Sequence, residues 1–450
     1  MFSFLRVPVI LYAYVRMRWL AYHLHSRERL ENWQQRQLKP HLRFIQRHSP
    51  YFRERLVDVT VEAWRRLPIL SKSELMDRFG DINTRGIKRE TALSVAVEAE
   101  RSRNFAPTVD GVTVGLSSGT SGHRGIFMAS AWEQWMYAGT VLAKILPGFW
   151  RRQNRVAFFL RANNNLYTAV RSQRLRFEYF DLLLPVSGHL ERLSQVQPTL
   201  LIAPPSLLAQ LAEAQKQGRI HICPKKIVSV AEVLDPVDEK FIGEVFGQRV
   251  HQVYQATEGF LAATCTHGTL HLNEDMMLIE KDWLDEVSGR FQPIITDFSR
   301  KTQPIVRYRL NDVLTERRVP CACGSPLTAL EFIEGRSDDL FYLPSSSGAQ
   351  TVAVYPDFIR RALLFASDQI SDYRVAQTGR SQLQIFILCR GDEKPVQIAV
   401  KREINDLAQK LGCIIDSIEF VDKPTTPSVS EGRKLRRVIN HYSPVNSRTL

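Results

Sequence analysis

The chain has 450 residues, 44% of them apolar and 24% charged, and a formal net charge of +13. That length supports at least two domains with a real core, which excludes a disordered chain. The positive charge favours acidic partners, yet no Lys/Arg block with interleaved aromatics marks a nucleic-acid surface, so nucleic acid is not expected among them.

Val7 to Leu24 is rich in Leu, Val, Tyr and Trp but is interrupted by Arg16 and Arg18. It falls short of the ~20 uninterrupted apolar residues that a spanning helix needs. No small-residue cleavage site follows, so a signal peptide is not expected. The stretch reads as an amphipathic helix with a basic face, either packed on the main domain or resting on an anionic membrane surface. Glu28 to Arg55 continues as a charged helical stretch with a solvated face, and residues 1–90 are expected to form a helical segment on the main domain.

Between Thr113 and Gly125 an apolar run feeds Leu-Ser-Ser-Gly-Thr-Ser-Gly-His-Arg-Gly. Ser117, Ser118, Gly119, Thr120, Ser121 and Gly122 offer close backbone N–H groups and four hydroxyls, the surface a polyphosphate needs. The bland alternative is a flexible Ser/Gly linker. No Gly-Lys-Ser/Thr closes the loop, so it is not a Walker motif. Trp132 to Leu146 then reads as a helix.

Leu200–Ala203, Lys226–Val230, Val250–Tyr254 and Met276–Glu280 are short apolar runs bounded by Pro, Gly or charges, and read as buried strands. Ser206 to Gly218 has apolar residues at helical spacing and a glycine terminator. The alternation argues for an α/β core over residues 91–335, with the site on loops at strand ends. After Arg336 the pattern restarts: a helix at Pro356–Phe365, a strand at Gln382–Cys389, a helix at Val396–Leu411 and a strand at Ile414–Val421. Residues 336–450 are thus a small α+β module.

Six cysteines without a secretory signal argue against a disulfide framework and for a cytoplasmic protein, with peripheral contact at the inner face of the membrane as the variant. Cys321 and Cys323 form a tight pair before Gly324, while Cys265 shares a segment with His267 and His271. Cys265, His271, Cys321 and Cys323 make a complete tetrahedral set for a structural Zn²⁺; the alternative is reduced, buried thiols. Cys223, Cys389 and Cys413 read as small core residues.

The Ser/Thr/Gly loop resembles the signature of the adenylate-forming (AMP-binding) superfamily, and four more segments appear in that family's order. Tyr254-Gln255-Ala256-Thr257-Glu258-Gly259 is similar to its Tyr-Gly-x-Thr-Glu segment, and Arg307 to Asp312 to its Tyr-Arg-Thr-Gly-Asp segment. Gly335-Arg336-Ser337-Asp338-Asp339 resembles its Gly-Arg-x-Asp-Asp hinge, and Ser430 to Arg437 its terminal Gly-Lys-x-x-Arg segment. Within the superfamily the likeness is to phenylacetate-CoA ligases and coenzyme-F synthetase-like adenylyltransferases, a branch with Cys/His metal clusters in some members.

The resemblance implies a large N-terminal domain of mixed sheets flanked by helices and a small mobile α+β C-terminal lid hinged at Asp338. It implies ATP, Mg²⁺, and CoA or an acidic acyl carrier protein as the thiol. The loop from Ser117 to Gly122 would hold the leaving phosphates, Thr257 would donate to the α-phosphate and Glu258 would ligate Mg²⁺. Asp312 would accept from both ribose hydroxyls, Arg336 would contact the ribose or phosphate edge, and Ala231, Glu232 and Tyr254 would border the nucleotide. Lys434 would meet the α-phosphate during adenylation, with Arg433 one register away and a plain basic tail as the alternative. Gln255 replaces the usual glycine, which should narrow the acyl pocket or its entrance.

The activity so implied is adenylation of an apolar or aryl carboxylic acid and its transfer to CoA or a carrier thiol. Phe127, Trp132, Trp135, Phe158, Phe159 and Tyr254 suggest such a substrate. Transfer of AMP to a hydroxyl is the rival within the fold. A non-catalytic nucleotide-binding or membrane-surface scaffold is the rival of another class. The acid and the oligomeric state are not legible.

Overall fold

The computed structural model describes residues 5–56, 61–102, 107–116, 125–148, 153–160, 175–182, 184–336, 339–348, 351–423 and 436–442. They divide into two units. The first comprises Met1–Ala231, Ile242–Leu310 and Thr315–Phe332; the second comprises Glu232–Phe241, Asn311–Leu314 and Ile333–Leu450.

A parallel sheet organises the first unit. Strands Leu175–Asp181, Asn154–Leu160, Leu200–Ala203, Lys226–Ser229 and Val250–Ala256 lie side by side in that order, all parallel. Every residue of Leu200–Ala203 is buried, as a strand covered on both faces requires. Beyond Val250–Ala256 the sheet continues antiparallel through Gly259–Thr264 and Leu270–Leu272 to the start of Ala329–Arg336. A long antiparallel pair, Met277–Asp285 with Arg290–Asp297, and a three-stranded sheet of Thr108–Val109, Val112–Leu116 and Ile126–Ser130 add to it. The architecture is a mixed α/β domain, as the sequence implies.

Local chemistry sets the helix starts. Ser130 opens Ala131–Ile145 with a capping box: its hydroxyl accepts from the Glu133 N–H, and the Glu133 carboxylate accepts from the Ser130 N–H at 2.6 Å. Ser26 caps Arg27–His48, whose buried face carries Leu30, Leu38, Leu42 and Ile45. The solvated stretch expected there is therefore only the outer face. Its inner face is fixed to the turn after Leu272: Trp33 Nε1 donates to Asp275 O at 3.0 Å and Gln34 Nε2 to Glu274 O at 2.9 Å.

The first helix, Arg6–His23, lies against Ala131–Ile145. Tyr14, Met17 and Leu20 enter the same buried cluster as Leu142, Val156, Leu200 and Val228. The crossing is close because residue 139 is glycine: a Cβ there would stand 2.2 Å from Ile10 O and 2.7 Å from the Ala13 Cβ. Gly139→Val should therefore push the helices apart and cost about 1–3 kcal/mol. A denaturant midpoint unchanged from wild type would contradict so tight a crossing.

The second unit has its own core, with Phe341, Ile359, Leu363, Tyr373, Ile385, Val400 and Ile404 all buried. Its sheet runs Ser417–Phe420, Gln382–Cys389, Ile370–Gly379, Val438–Asn440, with outer strands parallel to their neighbours and the inner pair antiparallel. Helices Pro356–Ala366 and Glu393–Leu411 pack with it; Asp392 caps the second and Gly412, at φ 67°, ends it. The helices and strands expected after Arg336 are all present, each within a few residues of its expected bounds.

Candidate active site

In the first unit, two of the expected segments come together. Strands Val112–Leu116 and Ile126–Ser130 pair antiparallel, and their last pair is Leu116 with Ile126. The loop Ser117–Gly122 therefore leaves from the end of this hairpin; its residues lie outside those described. Thr257 and Glu258 form the tight turn between Val250–Ala256 and Gly259–Thr264.

Arg300 joins the two. Its Nη1 donates to Thr257 O at 3.1 Å and Glu258 O at 3.2 Å, and its Nη2 to Gln303 Oε1 at 3.2 Å. Gln303 in turn binds the hairpin, donating to Ile126 O at 3.0 Å and accepting from Met128 N at 2.9 Å. The Glu258 carboxylate is itself oriented, since Tyr308 donates its hydroxyl to Oε1 at 3.0 Å. Tyr308 belongs to the Arg307–Asp312 segment, so two motifs distant in sequence share one hydrogen-bonded junction with the Val112–Leu116/Ile126–Ser130 hairpin.

The junction is backed by two more acids. Glu133 accepts from the Lys301 and Thr302 amides at 2.6 and 2.8 Å. Burial would raise its pKa, but hydrogen bonds from Thr302 and Ser130 outweigh that and hold it below the usual carboxylate range. Asp297 is buried beneath the Glu258–Gly259 turn and accepts from Ser299 N at 2.7 Å; burial pushes its carboxyl up despite that bond. The sequence reading missed Arg300, Gln303, Asp297 and Glu133, because none lies in a motif. For Glu133 a signal was there: Ser130-x-x-Glu133 ahead of an apolar helix is a capping-box pattern.

Other expected positions fall as follows. Ala231, after strand Lys226–Ser229, has φ 70°, an uncommon value for a residue with a Cβ. Tyr254 is buried at a bulge, and Gln255 beside it is exposed. Of the aromatics, Phe159 stacks on Phe180 at 4.7 Å in the core and Trp132 is exposed.

In the second unit, Glu232 opens the segment Glu232–Phe241. Asp312 and Arg336 face each other, Arg336 Nε lying 4.0 Å from Asp312 Oδ1. Asp338 and Lys434 lie outside the described residues. Their neighbours do not: Arg436 pairs with Asp339, the last acid of the Gly335–Asp339 segment, and Arg437 forks onto Asp238 at 2.6 and 3.1 Å. The terminal basic segment is thus clamped immediately after Leu435.

A separate cluster forms where the hairpin Gly259–Thr264/Leu270–Leu272 meets the turn at Cys321. The ligand atoms of Cys265, His271, Cys321 and Cys323 all lie within 4.8 Å of one another. Cys265 Sγ is 3.8 Å from Cys321 Sγ, and Cys323 Sγ is 3.4 Å from His271 Nε2. A tetrahedral ion with metal–sulfur bonds of ~2.3 Å would hold two sulfurs ~3.8 Å apart. His271 Nδ1 sits 3.0 Å from Leu327 O, which fixes the ring with Nε2 toward the sulfurs. Burial opposes ionisation of Cys321, but hydrogen bonds from Thr269, the Cys323 amide and His271 bring it down to about 6. Burial, with the Cys321 and Cys265 sulfurs, pushes Cys323 up to about 11. His267 is exposed. Cys223 is exposed as well, which corrects its reading as a core residue: Ile220, Ile222 and Pro224 alternate inward and leave it outside.

No protein-family model matches this sequence, and no curated protein does. Solved structures do. A 2-hydroxyisobutyryl-CoA ligase in the postadenylation state, in complex with 2-HIB-AMP, matches with a TM-score of 0.65 at 17% identity, over 90% of this chain and 88% of that one. This chain has the adenylate-forming ligase fold. An open conformation of the same ligase with 2-HIB-AMP and CoA gives a TM-score of 0.56 at 19% identity, over 90% of both chains. The amide bond synthetase McbA from Marinactinospora thermotolerans gives 0.51 at 15% identity, over 71% of this chain and 68% of that one. In this ligase fold the Thr257–Glu258 turn ends a central strand, where open α/β sheets place their ligands.

Proposed function

We propose that the protein is an ATP-dependent, AMP-forming acid–thiol ligase of the phenylacetate-CoA ligase-like branch. The carboxylate of an apolar or aryl acid attacks the α-phosphorus of ATP and pyrophosphate leaves. The thiolate of CoA or an acyl carrier protein then attacks the acyl carbon, and AMP leaves. The observation that carries this reading is the Arg300–Gln303 junction, which ties the Thr257–Glu258 turn to the hairpin bearing Ser117–Gly122. Catalysis of phosphoryl transfer is mostly positioning and charge neutralisation, and the junction fixes positions.

In this reading the loop amides hold the leaving phosphates, Thr257 donates to the α-phosphate, and Asp312 and Arg336 take the ribose. Ala231, Glu232 and Tyr254 border the base. Glu258 holds Mg²⁺, which when bound supplies positive charge for the phosphate oxygens. Lys434 comes from a mobile lid hinged at Asp338. Pyrophosphate release, screened over a panel of carboxylic acids with and without CoA, tests the assignment. Release that requires an acid supports it. Release that requires a phenolic or other hydroxyl compound, with no acid active, would replace it by AMP transfer to a hydroxyl. No release with any compound would leave a nucleotide-binding scaffold.

The Cys265, His271, Cys321 and Cys323 cluster is assigned a structural Zn²⁺, since four protein ligands leave no open position. Purified protein should then carry about one zinc per chain. Cys321→Ser should lower both metal content and melting temperature. Metal-free protein of undiminished stability would contradict the assignment.

A further inference from the structure

We infer that the helix Arg6–His23 is a membrane-surface anchor, binding anionic phospholipid through its outward face. The helix is apolar on two sides. Val9, Ile10, Ala13, Tyr14, Met17 and Leu20 are buried against the first unit. Opposite them, Val7, Leu11, Tyr12, Val15, Trp19 and Tyr22 are each more than half exposed, with Tyr22 at 80% and Val7 at 63%. At 3.6 residues per turn these six fall in an arc of about 140°, a continuous stripe rather than a scatter. Among the described residues no other element gathers as many exposed large hydrophobic side chains. The basic face expected from the sequence is not what the helix presents: Arg16 turns aside to lie over the Trp33 ring at 5.2 Å, and Arg18 alone punctuates the stripe.

Charge and side-chain type select the occupant. No Asp or Glu occurs before Glu28, while Arg6, Arg16 and Arg18 do. The adjoining helix Arg27–His48 exposes Arg29, Arg36, Lys39, Arg43 and Arg47 against the two acids Glu28 and Glu31, the second paired with Arg27. An apolar stripe with Trp and Tyr, set in cationic surroundings, is complementary to the headgroup region of an anionic bilayer, where aromatic rings settle and basic residues meet phosphate. A second copy of the chain would bring the same positive charge to the same face, which disfavours self-association. The helix would lie in the interface, since no helix among the described residues is long and apolar enough to cross a membrane.

The test is flotation of the full chain with two kinds of vesicle, one of phosphatidylglycerol and phosphatidylcholine in equal amounts, the other of phosphatidylcholine alone. Wild-type protein should float with the first and not the second, and lose binding as salt rises. The double variant L11S/W19S should bind about tenfold more weakly or less. Its melting temperature should stay close to wild type, because both side chains lie on the outward stripe and are about half exposed. A chain that stays at the bottom with both vesicles overturns the inference, as does a variant that floats like wild type. Sedimentation of the chain alone gives the remaining outcome: a dimer abolished by L11S/W19S would make the stripe a self-contact and overturn it too.

Discussion

Glu258→Gln should abolish acid-dependent pyrophosphate release, by about 10²-fold or more, while leaving the fold intact. The substituted amide keeps a carbonyl oxygen to accept the Tyr308 hydroxyl, and the Arg300 bonds go to main-chain oxygens that the change does not touch. What disappears is the negative charge with which, in the proposed reading, Glu258 holds Mg²⁺. Losing one electrostatic partner of a charged transition state costs a few kcal/mol, hence the factor. A melting curve identical to wild type would confirm that only chemistry was lost. Wild-type turnover at ordinary magnesium would remove Glu258 from the site.

Lys434→Ala should slow adenylate formation by about 10²-fold or more if the ammonium offsets charge at the α-phosphorus. The same variant, given a pre-made acyl adenylate, should still pass the acyl group to CoA, because that half-reaction needs an open path for a thiol rather than a lysine. The clamping of Arg436 by Asp339 and of Arg437 by Asp238 makes these two arginines anchors of the second unit. They are thus poor candidates for the cation proposed to meet the α-phosphate, a role the proposal gives to Lys434, with Arg433 one register away. Normal adenylation in Lys434→Ala combined with failure in Arg433→Ala would shift the register by one. Asp338→Pro fixes φ at the proposed hinge and should spare adenylation while impairing thioester formation if it holds the adenylating pose.

The sequence carried the strands best where burial is complete. Leu200–Ala203 is an uninterrupted apolar run because both faces of a parallel sheet are covered, and its neighbour Lys226–Ser229 is buried from Ile227 onward. Leu175–Asp181 was not legible, since Arg176, Glu178 and Asp181 break its apolar run and it lies at the end of the sheet order. The cysteine–histidine set was legible from spacing, with His271 as its imidazole, and the hairpin gives the physical reason: it buries His271 on strand Leu270–Leu272 and leaves His267 in the exposed turn. The site's supporting residues were the least legible. Arg300 and Gln303 act through main-chain oxygens and amides of other segments, a role that leaves no local pattern. The first helix was legible as apolar, but not that both its faces are.

The central claim is that an acid's carboxylate attacks the α-phosphorus of ATP. The most direct measurement uses the acid that scores best in the panel, labelled with ¹⁸O in its carboxyl group, with ATP and CoA. Mass analysis of the AMP released with the thioester should find one labelled oxygen, carried over from the acid through the adenylate. Unlabelled AMP, or label in pyrophosphate or phosphate instead, would contradict the account.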